Sequence, residues 1–115
     1  MASRQQSSNV RKYARILTLN MVSYRAQEPD GKSAGAGIGR TLDLSPGGIK
    51  LEVSHRYPLS SELELNLQVK EKIIRVRGRV VHLEELKNGK IGVGIQFSRV
   101  SKEDKDFIEN FLATK

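Results

Sequence analysis

Apolar and polar positions alternate through most of the chain. The clearest stretch is Glu62-Leu-Glu-Leu-Asn-Leu-Gln-Val69, where every second residue is apolar. That period of two marks a strand with one buried face. A polar turn at 70–72 leads into a second run, 73–83, rich in β-branched residues. There Ile74, Val76, Val80 and His82 share one face, and Arg75, Arg77 and Arg79 share the other. Unbroken alternation points His82 inward. Gly78 and the adjacent Val80-Val81 predict a bend or bulge, which would turn it outward. Asn88-Gly89 predicts a hairpin turn. Beyond it Ile91, Val93, Ile95 and Phe97 alternate with Gly92, Gly94 and Gln96, laying a glycine stripe on one strand face.

Upstream, the pattern predicts a strand over about 14–24, with Leu17, Leu19 and Met21 on one side. A glycine-containing loop is expected over 28–37. Strands at 38–44 and 48–53 follow, with Ile38, Leu42 and Leu44, then Ile49, Leu51 and Val53, turned inward. Pro58 interrupts a loop at 54–61. Near the end, Ser101 is the expected N-cap of a helix over 101–113. Phe107, Ile108, Phe111 and Leu112 line one side of it. A helix this short needs a surface to dock on. Six short strands joined by hairpin-like turns and followed by one helix predict a mainly β protein, a six-stranded antiparallel barrel. Closure would remove the open edges.

At 115 residues the chain fits a single domain. The expected division is a disordered tail over 1–10 and a domain over 11–115. Cysteine is absent, so neither a disulfide framework nor thiolate chemistry is available. The first residues lack the apolar core of a signal peptide, and no run is long enough to span a membrane. The expected location is the cytoplasm. The net charge of +7 is concentrated upstream: residues 1–40 hold seven Lys/Arg against two acids, the rest thirteen against eleven. Such asymmetry predicts an anionic partner, whether nucleic acid, nucleotide or acidic membrane surface.

Two clusters give that charge a chemistry. In Asp43-Leu-Ser-Pro-Gly-Gly48, Asp43 and Ser45 fall on one side of a strand and Leu44 on the other. Pro46, Gly47 and Gly48 turn the chain beside them. The carboxylate can accept from the N1-H and N2-H of guanine, and the hydroxyl suits a phosphate or a sugar. In Arg11-Lys-Tyr-Ala-Arg15, two guanidinium forks four residues apart fit phosphate, or the O6/N7 edge of guanine, with paired bonds. An enzyme is not expected. His55 and His82 are the only histidines, and neither a metal-ligand spacing nor a catalytic triad is present.

RxxxR followed some thirty residues later by DxSxxG resembles the PilZ family of cyclic di-GMP receptors. Gly-Arg-Val-Val-His at Gly78 to His82 and Gly-Val-Gly-Ile-Gln-Phe at Gly92 to Phe97 are also similar to the family. The resemblance implies a six-stranded barrel with a C-terminal helix. It implies that Arg11 and Arg15 grip the guanine and phosphate groups of cyclic di-GMP, and that Asp43, Ser45 and Gly48 form the second part of the site. Lys12, Gly47 and His82 are further candidates: Lys12 keeps the charge of a family arginine without its fork, and His82 stands near a family aromatic that meets a base. Val10, where an arginine favours a stacked ligand pair in the family, implies a single ligand. No cofactor or metal is implied. A downstream protein partner is expected but unnamed. Two alternatives stand beside this reading, a small-barrel binder of RNA or single-stranded DNA and a PilZ-fold interaction module without a ligand. The few aromatics supply no stacking platform for the first.

Overall fold

The structure, a computed structural model, describes residues 21–113. Arg11, Lys12, Arg15, the expected tail over 1–10 and the first part of the expected 14–24 strand lie outside the described residues. Six strands, β1 (Met21–Gln27), β2 (Ser33–Ser45), β3 (Gly48–Val53), β4 (Glu62–Val69), β5 (Lys72–Glu85) and β6 (Ile91–Arg99), precede one helix, α1 (Lys102–Ala113). The strands close into a barrel in the order β1-β2-β3-β6-β5-β4. All six pairings are antiparallel.

The alternation read from the sequence builds the interior. Leu63, Leu65, Leu67 and Val69 of β4 point inward with Ile74, Val76 and Val80 of β5 and Ile91, Val93 and Ile95 of β6. From β3 come Ile49, Leu51 and Val53, as expected. The Tyr24 and Tyr57 rings meet edge to face inside the barrel, with their hydroxyl oxygens 2.9 Å apart. The Ser101 hydroxyl accepts the Asp104 amide at 3.1 Å, which makes Ser101 the helix cap. Ile108 and Phe111 are buried against the barrel, with Phe107 and Leu112 beside them. Lys72 pins the helix to the sheet, its Nζ 3.2 Å from Asp104 and 5.0 Å from the Phe107 ring centre.

Two expectations are corrected, one at a glycine stretch and one at a bulge, and a third position that the sequence left with two directions is decided by the bulge expected at Val80-Val81. Residues 33–37 belong to β2 rather than to a loop. Gly37 serves close packing, since a Cβ there would lie 2.7 Å from the Tyr24 hydroxyl, whereas Gly35 supplies a φ of +99° with open space around it. Ile38, expected inside, is 62% exposed. The register shifts between Thr41 and Asp43, so Leu42 is an extra, unpaired residue. Upstream of it Gly39 and Thr41 face inward; downstream Leu44 does. Counting back from Leu44 through the bulge assigns Ile38 the wrong face. His82 is the third case. A second bulge, between Val80 and His82, turns it outward, 62% exposed, against the inward direction of simple alternation. Met21 also faces outward, while Val22, Tyr24 and Ala26 fill the core.

Candidate functional site

The β2–β3 turn carries the motif read as DxSxxG. Ser45 pairs with Gly48 across it, and the Ser45 hydroxyl donates to the Gly48 carbonyl at 3.3 Å. The Phe97 amide donates to the Gly47 carbonyl at 2.9 Å, so the turn is tied to β6. Gly48 is required by packing: a Cβ there would stand 2.4 Å from the Ile95 carbonyl oxygen. Asp43 and Ser45 lie on the same outer side, with Leu44 buried between them, as the spacing predicted.

The barrel register extends this turn into a four-strand face. One row runs Asp43 on β2, Lys50 on β3, Gly94 on β6 and His82 on β5. The next runs Ser45, Gly48, Gln96 and Arg79. Between them Val81 projects outward from its bulge. A shallow open depression of about 410 Å³ lies over the β2, β3 and β6 part of this face, lined by Asp43, Ser45, Gly48, Lys50, Val81 and Gln96, with His82 and Arg79 at the far ends of the two rows. Its floor at Gly94 has no side chain, because a Cβ there would crowd the His82 Cβ at 3.0 Å.

Electrostatics on the rim are ordered by Glu84. The Lys50 ammonium donates to its Oε1 at 2.8 Å, and the His82 Nε2 lies 3.3 Å from the same oxygen. The Lys50 bond, with His82 second, holds the Glu84 carboxyl below the usual carboxylate range. A deeper anchor stands behind the face. Glu52, with its side chain 8% exposed, accepts from Arg40 Nε at 2.8 Å and from the Asn88 amide. The Asn88 bond is the main cause of the lowered Glu52 pKa; burial works against it and Arg40 with it. This carboxylate ties β2, β3 and the β5–β6 turn together.

The structure thus brings Asp43, Ser45, Gly47, Gly48 and His82 onto one surface. Arg11, Lys12 and Arg15 lie outside the described residues. Lys50, Val81 and Gln96 were not singled out from sequence, and Arg79 was read there only as part of the arginine row of β5. Lys50 and Gln96 could have been found as outward positions two residues beyond Gly48 and Gly94, but Val81 needed the bulge.

The PilZ domain family model matches residues 9–114, which covers both motifs and the whole barrel. The chain belongs to the PilZ domain family. Solved structures with the same fold include Bacillus subtilis MotI/DgrA, an inhibitor of motility, at 14% identity and a TM-score of 0.66, covering 82% of this chain and 46% of that one. The PilZ domain of Escherichia coli YcgR with c-di-GMP matches at 10% identity and a TM-score of 0.58, over 82% of this chain and 80% of that one. K. pneumonia MrkH in its c-di-GMP complex matches at 17% identity and a TM-score of 0.60, over 80% of this chain and 45% of that one. This PilZ chain therefore spans a little under half the length of the MotI and MrkH chains. At these identities the likeness is one of fold. No curated protein matches the chain. Among the described residues no helix is long and apolar enough to cross a membrane.

Proposed function

We propose that this PilZ domain is a receptor for cyclic di-GMP, binding it on the outer face of β2, β3, β6 and β5. The observation that carries the reading is the shared register of Asp43, Ser45, Gly48 and Lys50 around one open depression, with His82 on the same row beyond Gly94. Family membership supports it, as do the YcgR and MrkH structures, which hold this ligand. In the proposed complex Asp43 accepts from the donor edge of a guanine. Ser45 bonds a phosphate or ribose oxygen. Lys50, already half committed to Glu84, turns toward a phosphate. Gly94 and Val81 form a flat floor for a base, with His82 at its edge.

Arg11 and Arg15, with Lys12, close over the ligand from the other side. Fixing those backbone residues costs about 1–2 kcal/mol each. Charge-assisted bonds to two phosphates and two guanines contribute about 1.5–3 kcal/mol apiece, enough to offset that cost. The ligand-responsive unit is then residues 11–115, and the ordered arginine segment is the signal that a downstream protein reads. The messenger is cytoplasmic, and so is its receptor.

Calorimetric titration tests this directly. Cyclic di-GMP should bind at micromolar concentration or tighter, GMP and a short RNA should not, and Arg15→Ala should abolish binding. Salt-sensitive binding of RNA in place of cyclic di-GMP would transfer the site to nucleic acid. Hydrogen exchange over residues 11–15 tests the closing step: unchanged protection with saturating ligand would refute it.

A further inference from the structure

Away from the depression, the outer surface of β1, β4, β5 and the end of β6 holds a second charged feature. Arg25, Glu64, Arg77 and Arg99 stand in one register row across four strands. Arg75 and Arg79 flank Arg77 on the same face of β5. Two adjoining clefts of about 390 and 470 Å³ share Arg25, Glu64 and Arg77 as walls. Arg77 donates to Glu64 at 3.1 Å, and Glu62 lies 4.0 Å from both Arg77 and Arg79. Arg25, Arg75 and Arg99 make no ion pair among the described residues.

Five guanidinium groups against two carboxylates is not what stability alone favours. Like charges directly opposite on neighbouring strands, as Arg77 and Arg99 are, destabilise a sheet. We infer that this face docks an acidic segment of a partner protein, whose carboxylates pair with Arg25, Arg75 and Arg99. Three observations choose a protein over another polyanion. Glu62 and Glu64 sit within the face and would repel a continuous phosphate backbone or an anionic lipid surface, whereas a protein segment can alternate its charges to suit. No aromatic ring lines either cleft, so no base can stack there. All five cations are arginine and none is lysine, the choice that suits paired bonds to carboxylates and that protein interfaces favour. The face meets the candidate ligand site only where Arg79 borders Gln96, so the inference does not depend on the ligand.

The probe is a fluorescein-labelled peptide with three glutamates at alternate positions, Gly-Glu-Ser-Glu-Ser-Glu-Gly, beside its all-glutamine counterpart. Anisotropy is read at about 150 mM salt, where loose attraction is screened beyond about 8 Å. The acidic peptide should bind and the glutamine peptide should not. The triple change Arg25→Gln, Arg75→Gln and Arg99→Gln should weaken binding at least about tenfold, and the matching triple change to Lys should weaken it several-fold. Arg11→Ala with Arg15→Ala should leave it unchanged. Amide shifts in the unaltered protein provide the readout that needs no variant, and should move at Arg25, Arg75 and Arg99. Equal binding by the Gln triple variant, or shifts confined to other strands, would overturn the inference. So would tighter binding of a single-stranded DNA or a phosphatidylglycerol vesicle that the triple variant abolishes, since the face would then belong to that polyanion.

Discussion

Replacing Gly48 with alanine adds a single methyl group where β3 packs against the β6 backbone at Ile95. The new Cβ would stand 2.4 Å from the Ile95 carbonyl oxygen, where ordinary contacts begin at 3.4 Å. The obstacle is backbone, so no side chain can swing aside. The strands must part by about 1 Å, against a normal spacing of about 4.8 Å. That lengthens the ladder bonds flanking the Gly48–Gln96 pair. Overpacking of this kind costs about 1–3 kcal/mol. For a domain near this size each kcal/mol lowers the melting midpoint by about 4–8 °C, so Gly48→Ala should melt roughly 8–16 °C below the parent at a mid-range cost. Gly47→Ala is the control on the neighbouring residue. A Cβ there meets nothing within 4 Å, and its φ lies outside the left-handed region. That variant should keep its midpoint or gain up to about 1 kcal/mol from a stiffer unfolded chain. Calorimetry and urea denaturation measure both. A Gly48→Ala midpoint within about 2 °C of the parent would refute the close-approach argument and leave ligand contact as the only reason for glycine in the motif.

Other expectations follow from named contacts. Asp43→Asn keeps the size of the side chain but should weaken cyclic di-GMP binding at least about tenfold in calorimetry, because an amide cannot accept two guanine donors as a carboxylate does. Glu52→Gln should lower stability by about 1–3 kcal/mol near neutral pH in urea denaturation. Since the Glu52 pKa is lowered in the folded state, the wild-type advantage is full above the ordinary value of 4.5 and is lost as pH falls through the folded value, so the two proteins should converge in acid. Tyr24→Phe leaves the Tyr57 hydroxyl buried without its partner and should cost about 1–3 kcal/mol by the same denaturation assay.

The barrel was legible because β4 and most of β5 and β6 obey strict alternation, and because Ser101 and the spacing from Phe107 to Leu112 mark a docked helix. The polar side of the motif was legible too, since Asp43, Leu44 and Ser45 lie downstream of the β2 bulge and alternate normally. Ile38 was misread, and His82 was left with two directions, for one physical reason. Each lies across an unpaired residue from the positions used to set the phase, Leu42 in one case and Val81 in the other. A bulge adds one residue without adding a pair; the adjacent Val80-Val81 marked the one in β5, but nothing in the apolar pattern marked the one at Leu42. Glycine in 33–37 misled for a different reason. It signals a loop by composition, yet Gly37 is there to admit the Tyr24 hydroxyl from a neighbouring strand. Lys50 and Gln96 could be read as outward positions on their own strands, but the register that sets them beside Asp43 and Ser45 comes only from the closed sheet.

The bulges at Leu42 and Val81 also bear on how the gene encoding this chain can change length. Losing a paired residue within a strand inverts every side chain between the loss and the next turn. Losing Leu42 would instead leave Thr41 inward, Asp43 outward and Leu44 inward, an unbroken alternation. Losing Val81 would leave Val80 inward and His82 outward in the same way. Only the local bend and one side chain, the half-buried Leu42 or the exposed Val81, would disappear. Single-codon deletions in these strands should therefore survive at codons 42 and 81 and be purged at their neighbours, giving the candidate face two built-in places to vary its curvature while Asp43, Ser45 and His82 keep their outward side.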